Sequence, residues 1–456
     1  VVTRSIVVIG MGYVGIPCAV LLADVPGHSV IGVQRRSERS GWKIDCLNSG
    51  RSPFEGDEPG LSELISKVVA QGTFRVTDDI AVCRNADTIL IDVQTPTDDD
   101  HVPHYESLRE VCVGAGRHLQ PGTLVVVEST VAPGTTQNVV QPILEQESGL
   151  KAGRDFCLAF SYERVMPGKL IEYIVNFPRV VGGIDEESTR RAVTLYRTIV
   201  RGEITPTDIL TAEMAKVVEN AYRDVNIAFA NEVALACEQM GVDVYKVREL
   251  INARPDRHMH LPGAGVGGHC LPKDSWLLKY GLETYGGGRE RFALRMIPLA
   301  REINDGMPAH MVDLIEEGLQ VKGAKPKLEG AKVAILGVSY LENTDDTRNT
   351  PAATLARLLL ARNAQVMAHD PYVREPDWQR ALGDGYDVPL TKVLDQALNG
   401  ADCAVLMTRH QEYFALTPEH IRSAMRTPVV VDGRNVVTFM TGDIVVRTVG
   451  KGCFKK

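Results

Sequence analysis

A chain of 456 residues is too long for one ordinary core, and at roughly 100–200 residues per domain it predicts about three domains. With 44% hydrophobic and 24% charged residues and 41 glycines, the composition excludes a disordered or fibrous chain and fits a globular α/β protein. A formal net charge of -8 argues against nucleic acid as the main partner, while leaving room for a local basic pocket around a small phosphate ligand.

In chain order, "SIVVIG", "SVIGVQ", "ADTILIDV", "TLVVVEST" and "FCLAFS" are short β-branched runs separated by longer helical patterns. They read as buried parallel strands of a doubly wound, Rossmann-like sheet. The first run leads into "GMGYVG", so Gly10, Gly12 and Gly15 form G-x-G-x-x-G between a strand and a helix, with Tyr13 and Val14 in the same turn. Such a turn lets backbone approach a pyrophosphate at a helix N-terminus, which predicts dinucleotide binding. After the second strand, where an acid usually takes the ribose hydroxyls, the chain has Gln34, then Arg35 and Arg36. A glutamine still bonds a hydroxyl and the arginines suit a 2′-phosphate, so the residues leave NAD and NADP both open.

From about Thr207, "DILTAEMAKVVENAYRDVNIAFANEVALACEQMG" keeps a helical rhythm without proline and stops at Gly241, which predicts one long helix suited to a domain bridge or a subunit interface. "GAGVGGHCLPKD" then sets Cys270 among glycines 263, 265, 267 and 268, with His269 and Lys273 beside it. The glycines admit a ligand, and two neighbouring cations would favour a thiolate. A thiolate next to a nicotinamide suits covalent aldehyde oxidation through a thioester; a structural glycine loop is the plainer alternative. After "LQVKGAKPKLEG", the strands restart with "AKVAILGVSY", "AQVMAHDPY", "ADCAVLMT" and "TPVVVDGRN". The expected organisation is therefore two Rossmann-like doubly wound parallel-sheet domains, residues 1–204 and 319–456, joined by a helical central domain over 205–318.

The nine cysteines (Cys18, Cys46, Cys83, Cys112, Cys157, Cys237, Cys270, Cys403, Cys453) are odd in number, scattered and without a CxxC pair. They read as reduced thiols, with no metal site, and all but Cys270 as small buried hydrophobes. The opening residues run straight into a strand, and no apolar run reaches the roughly 18 residues of a membrane helix. The expectation is a cytoplasmic protein with no membrane or nucleic-acid partner.

Taken together, "SPFEGDEPGL", "VQTPT", "VESTVAPGTT", "YERVMPG", "EMAKVVENAYRDVNIAFANE", "PGAGVGGHCLPKD", "NTDDTRNTPA" and "VVVDGRN" resemble, in order and spacing, the UDP-glucose/GDP-mannose dehydrogenases over nearly the whole chain. The resemblance implies oxidation of a nucleotide-sugar C6 alcohol to a carboxylate in two NAD-dependent steps. It makes Cys270 the nucleophile, Lys216 and Asn220 an oxyanion-stabilising and substrate-positioning pair, Asp274 the group that orients water, and Glu163 the general acid/base. Thr130 falls near the reacting water and nicotinamide, and Thr95 and Arg348 fall to the cofactor with Gln34 and Arg35. Substrate contacts are implied at Glu163, Arg164, Val165, Lys216, Asn220, His260, Gly267, Tyr340 and Arg434. Asp346 matches a substrate or inter-domain position, and either Arg254 or Arg257 matches an arginine that reaches a neighbouring subunit.

Three positions depart from the family pattern: Gln34 in place of an acid, Tyr162 in "SYER" where "SPER" is common, and Leu341 where a lysine often precedes "DDTR". "HMHLPGAGVGGHC" is closer to branches that oxidise UDP-N-acetylhexosamines than to "GFGGSC" enzymes. The expected substrate is UDP-N-acetyl-D-mannosamine, followed by UDP-N-acetylglucosamine, then UDP-glucose or GDP-mannose. Rival readings are a hydroxyacid dehydrogenase that relies on lysine chemistry and a non-catalytic nucleotide-sugar binder. A homo-oligomer, dimeric through the long helix, is expected.

Overall fold

The computed structural model describes residues 4–38, 40–54, 58–98, 100–287, 292–322, 328–439 and 441–452. Cys453, residues 55–57 of "SPFEGDEPGL" and residues 323–327 of the stretch before the second set of strands lie outside them. The chain divides into two compact units, residues 1–219 with 276–292, and residues 220–275 with 293–456.

The first unit is built on eight strands: β1 (Arg4–Ile9), β2 (His28–Val33), β3 (Phe74–Thr77), β4 (Thr88–Ile91), β5 (Leu124–Val127), β6 (Cys157–Phe160), β7 (Arg179–Gly183) and β8 (Ile204–Asp208). Their order is β3-β2-β1-β4-β5-β6-β7-β8. Pairing is parallel from β3 through β6, as expected. The sheet then continues past the expected strands: β7 pairs antiparallel with β6, and β8 runs parallel to β7. β4, β5 and β6 are buried at every residue, because helices cover both faces of a parallel sheet. The order reverses at β1 and β4, and at such a switch point the carboxyl ends of adjacent strands diverge and open a crevice for ligand.

The helix expected from Thr207 begins two residues later, at Ile209, and runs to Met240. Thr207 and Asp208 close β8, and the Asp208 carboxylate accepts from the Thr211 backbone N–H (2.8 Å) and hydroxyl (2.6 Å). Asp208 thus halts the strand and caps the helix, a local bond that periodicity does not reveal. Gly241 ends it in the left-handed region (φ 72°), the usual helix stop.

The second unit carries a six-stranded, all-parallel sheet: β9 (Lys332–Leu336), β10 (Gln365–His369), β11 (Leu390–Thr391), β12 (Cys403–Leu406), β13 (Val429–Asp432) and β14 (Val445–Thr448), in the order β11-β10-β9-β12-β13-β14. The helices Val244–Asn252 and Met296–Val321 also belong to it. The buried Arg301 on the latter pairs with the buried Asp224 at 2.7 Å. Asn304 donates to the same carboxylate (2.8 Å) and accepts from Asn231 (2.8 Å), whose Oδ1 takes the Gly263 N–H (2.9 Å). One buried polar chain therefore ties two long helices to the start of the cysteine loop. Among the described residues no helix is long and apolar enough to cross a membrane.

Candidate functional site

In the first unit, the glycine turn is shaped by what a side chain would strike. A Cβ on Gly15 would lie 1.9 Å from the Gly10 carbonyl oxygen, whereas a Cβ on Gly12 would meet nothing within 4 Å. Gly15 permits tight packing under the helix Gly15–Ala23, and Gly12 leaves open space at its N-terminus beside Val14. That cradle fits the pyrophosphate of a dinucleotide, which the helix N-terminus attracts. Tyr13 stacks on Phe54, with ring centroids 4.5 Å apart. Gln34 turns its Oε1 back to the Met11 N–H (3.1 Å) and its Nε2 to Ser40 (3.1 Å), bracing the turn. Arg36 is drawn to Asp78 (3.1 Å) and Asp45 (3.9 Å), and Arg35 lies 3.6 Å from Glu110. Acidic partners beside both arginines oppose a 2′-phosphate and favour NAD. Thr95 donates its hydroxyl to the Thr130 carbonyl at 2.5 Å, linking the two loops that follow β4 and β5.

The same unit holds Glu163 and Lys216 together. Lys216 is buried, its Nζ donates to the Glu163 carbonyl (3.0 Å), and it lies 5.2 Å from the centre of the Tyr162 ring. Tyr162, where proline is usual in the family pattern, thereby gives Lys216 an aromatic face. Arg164 grips Glu219 on the long helix (2.9 Å) and the Tyr162 hydroxyl (2.9 Å), and Val165 packs into the core. The Glu163 carboxylate is bonded to the buried guanidinium of Arg179, which also binds Glu128 and stacks over Tyr196 at 3.5 Å. Cys18, Glu128 and Glu163 bring ligand atoms within 4.8 Å of one another, and Arg179 is the cation among them. Burial, then the neighbouring Glu128, pushes the Asp92 carboxyl well above its ordinary range. Asp92, Glu128 and Arg179 escape the sequence reading. Their signal is positional: both acids directly follow fully buried strands, at the end of the sheet where ligands bind.

In the second unit, Cys270 immediately precedes the helix Leu271–Tyr285, and its carbonyl accepts from the N–H groups of Lys273 (3.0 Å) and Asp274 (2.9 Å). It is the exposed cysteine among those described; Cys18, Cys83, Cys112, Cys157, Cys237 and Cys403 are buried, and Cys46 is intermediate. Burial pushes the Cys83 and Cys112 thiols up to about 12, which makes them inert at neutral pH. Cys270 instead has the partial positive charge of a helix N-terminus, which favours a thiolate. One expectation is corrected here. Burial, together with the charges of Lys273 and Arg348, pushes the His269 pKa down to about 3, so His269 is neutral at pH 7 and lends no positive charge to the sulfur. The Lys273 ammonium stands 3.7 Å from Asp274, and Asn220 donates to the other Asp274 oxygen at 2.6 Å.

The remaining expected residues fall elsewhere in the second unit. Arg434 spends its guanidinium on the carbonyls of Met407 (2.8 Å) and Gly265 (3.1 Å), and so supports the cysteine loop. Tyr340 covers the loop at Gly267 and Gly268. Arg348 is bidentate to Asp346 (2.9 and 2.5 Å). Arg254 and Arg257 are exposed, and each pairs with Asp256 at 2.7 Å. His260 meets His258 edge-on at 5.0 Å, and burial followed by the charge of Arg223 lowers its pKa.

Residues 4–200, 210–306 and 334–439 match three family models, described respectively as the NAD binding domain, the central domain and the UDP binding domain of the UDP-glucose/GDP-mannose dehydrogenase family. The chain is 38% identical to the UDP-N-acetyl-D-mannosamine dehydrogenase of Pyrococcus horikoshii, over 98% of this chain and 99% of that one. It is 32% identical to the NDP-N-acetyl-D-galactosaminuronic acid dehydrogenase of Ralstonia solanacearum, over 95% and 96%. The crystal structure of the NDP-N-acetyl-D-galactosaminuronic acid dehydrogenase from Methanosarcina mazei Go1 superposes with a TM-score of 0.87 at 42% identity, covering 99% of this chain and 96% of that one.

Proposed function

The chain belongs to the UDP-glucose/GDP-mannose dehydrogenase family, and from that premise we propose that it oxidises the C6 alcohol of UDP-N-acetyl-D-mannosamine to the uronate through a thioester on Cys270. It is an NAD-dependent oxidoreductase of nucleotide sugars. The observation that carries the thioester reading is the placement of Cys270, exposed at a helix N-terminus with the Asn220-held carboxylate of Asp274 on the first turn.

Gly10, Gly12, Tyr13, Val14, Gly15, Gln34, Thr95 and Thr130 would hold NAD, which when bound supplies the hydride acceptor for both oxidations. The alcohol is first oxidised to the C6 aldehyde. The Cys270 sulfur then adds to the aldehyde carbon, with Lys216 and Asn220 stabilising the negative oxygen. Oxidation of that adduct leaves the acyl group on sulfur as a thioester. Water, oriented by Asp274 with Glu163 handling the proton, cleaves the C–S bond, giving the carboxylate and returning the thiol. The ion pair with Arg179 holds the Glu163 carboxylate in place for that role.

The mannosamine reading is supported by the Pyrococcus relative, and the two galactosaminuronic acid dehydrogenases make UDP-N-acetylgalactosamine the second candidate. UDP-N-acetylglucosamine and UDP-glucose follow. We also propose a homodimer through the long helix, since Leu210, Met214, Val218, Tyr222 and Phe229 expose 39–67% of their surface along it, four of them at four-residue spacing. A second copy of this chain would bury that stripe. The deciding experiment follows NADH absorbance with each UDP-N-acetylhexosamine, UDP-glucose and GDP-mannose, using wild type and Cys270→Ala. Two equivalents of NADH per sugar from one substrate, with the second lost in Cys270→Ala, is the expected result. Two equivalents from the variant would overturn the thioester.

A further inference from the structure

The backbone just before Cys270 is held at both of its polar atoms by one short segment of the second sheet's loops. The Gly268 N–H donates to the Arg348 carbonyl at 2.9 Å, and the Gly268 carbonyl accepts from Asn349 Nδ2 at 3.0 Å. Gly268 sits at φ 92°, and a Cβ there would lie 2.8 Å from the Tyr340 ring, so the loop is pressed against this segment with no room to spare. Asn349 itself has φ 49°, a left-handed conformation that asparagine tolerates better than most residues. Thr350 follows as the cap of the helix Pro351–Leu360, its Oγ1 accepting from the Ala352 N–H, which fixes where Asn349 can stand.

The upstream part of the loop is held separately: Gly263 by Asn231, Ala264 by the Gly433 carbonyl (3.1 Å) and Gly265 by Arg434. Those bonds lie five to seven residues before the sulfur. The Gly268 pair lies two residues before it. We propose that Asn349 is a positioning residue for the nucleophile, holding Cys270 at the start of its helix by gripping the Gly268 carbonyl. The proposal rests on the reading of Cys270 as nucleophile. Asn349 lies inside the segment matching the UDP binding domain.

The test uses the full-length enzyme with Asn349→Gly, which keeps the φ and removes the side chain, as the deciding variant, beside Asn349→Asp, which keeps the shape but replaces the donor with a negative charge that raises a nearby thiol's pKa on its own. The first readout is alkylation of Cys270 by iodoacetamide against pH, resolved by peptide mass spectrometry. Both variants are expected to move the midpoint upward by about half a unit, as the sulfur leaves the helix N-terminus. The second readout is rapid mixing with UDP-N-acetyl-D-mannosamine and with UDP-N-acetylgalactosamine. The second NADH phase is expected to slow about ten- to a hundred-fold relative to the first, with little change in sugar KM. A purely structural role would lower both phases or the melting temperature and leave the alkylation midpoint alone. An unchanged midpoint in Asn349→Gly overturns the proposal, whatever happens to activity. Cys270→Ala run in parallel isolates the other premise: a second equivalent of NADH from that variant defeats the nucleophile reading, while the alkylation data still decide Asn349.

Discussion

Asn220 Nδ2 donates a 2.6 Å hydrogen bond to Asp274 Oδ2, while Asp274 Oδ1, buried and without a hydrogen bond among the described residues, lies 3.7 Å from the Lys273 ammonium. One oxygen of the carboxylate is thus held by a hydrogen bond and the other faces a cation. Asn220→Ala removes the bond that sets this orientation and, in the proposed mechanism, one oxyanion donor. It is expected to lower kcat by about 10²–10³ with a smaller change in sugar KM, as removal of an oxyanion donor does elsewhere. Steady-state kinetics on the accepted sugar checks it. A KM effect alone would make Asn220 a binding residue.

The arginines after β2 bear on cofactor choice. Arg36 lies between Asp78 and Asp45, so a 2′-phosphate would have to displace carboxylates already placed there. Wild type is expected to prefer NAD over NADP. Asp78→Ala removes the closer acid and is expected to improve kcat/KM for NADP by about three- to ten-fold, the scale of roughly 1 kcal/mol of electrostatic gain at an exposed site. Parallel initial rates with the two cofactors measure this. An unchanged NADP rate would show that Arg36 is out of reach of the ribose.

Much of this arrangement was legible in the sequence because the signals were local. Gly10, Gly12 and Gly15 between a β-branched run and a helical one specify a strand, turn and helix within seventeen residues, "VVIGMGYVGIPCAVLLA", with no help from distant contacts. Cys270 stood out because four glycines frame it. What was not legible depends on partners far apart in sequence. Arg179 meets Glu128 and Glu163 across 51 and 16 residues, and Asn349 reaches Gly268 across 81. β8 does not read as a strand, and its last two residues fall in the expected helix, because "ITPTD" is a partly exposed edge strand without the alternation that marks a half-buried one. His269 beside the cysteine suggested a cation, and only its burial against Lys273 and Arg348 removes the charge.

That neutrality has a pH signature. The folded pKa of His269 is about 3, whereas an unfolded histidine titrates near about 6.5. Because the folded value is depressed, the contribution to stability is complete above about 6.5 and is lost as pH falls toward about 3, since the unfolded chain takes up a proton that the folded one refuses. Wild type should therefore lose stability relative to His269→Gln between pH 7.5 and pH 5. Urea midpoints at the two pH values supply the comparison. The pH dependence of Cys270 alkylation should be the same in both proteins, and an upward shift in His269→Gln would restore the charged-histidine account.

Asp224 and Arg301 supply the last test, of stability in the second unit. Both are buried, their atoms are 2.7 Å apart, and Asn304 also bonds the Asp224 carboxylate. Arg301 also pairs with the exposed carboxylate of Asp305, so Asp224→Ala leaves it one partner and is expected to cost less than the about 3–5 kcal/mol of a fully stranded buried charge. Asp224→Asn keeps an acceptor for Asn304 and should cost less. The double change Asp224→Leu with Arg301→Met removes both charges, so its cost should fall below that of Asp224→Ala despite the larger alteration. Urea unfolding followed by a probe in the second unit ranks the three. If the double variant is the least stable, the ion pair adds net stability and the desolvation argument fails at this site. The polar chain from Asp224 through Asn304 and Asn231 ends on the Gly263 N–H, so the same series should also loosen the glycine loop. Faster amide exchange at Gly263 in Asp224→Ala, with the Gly268 amide unchanged, would show that the two ends of the loop are held independently.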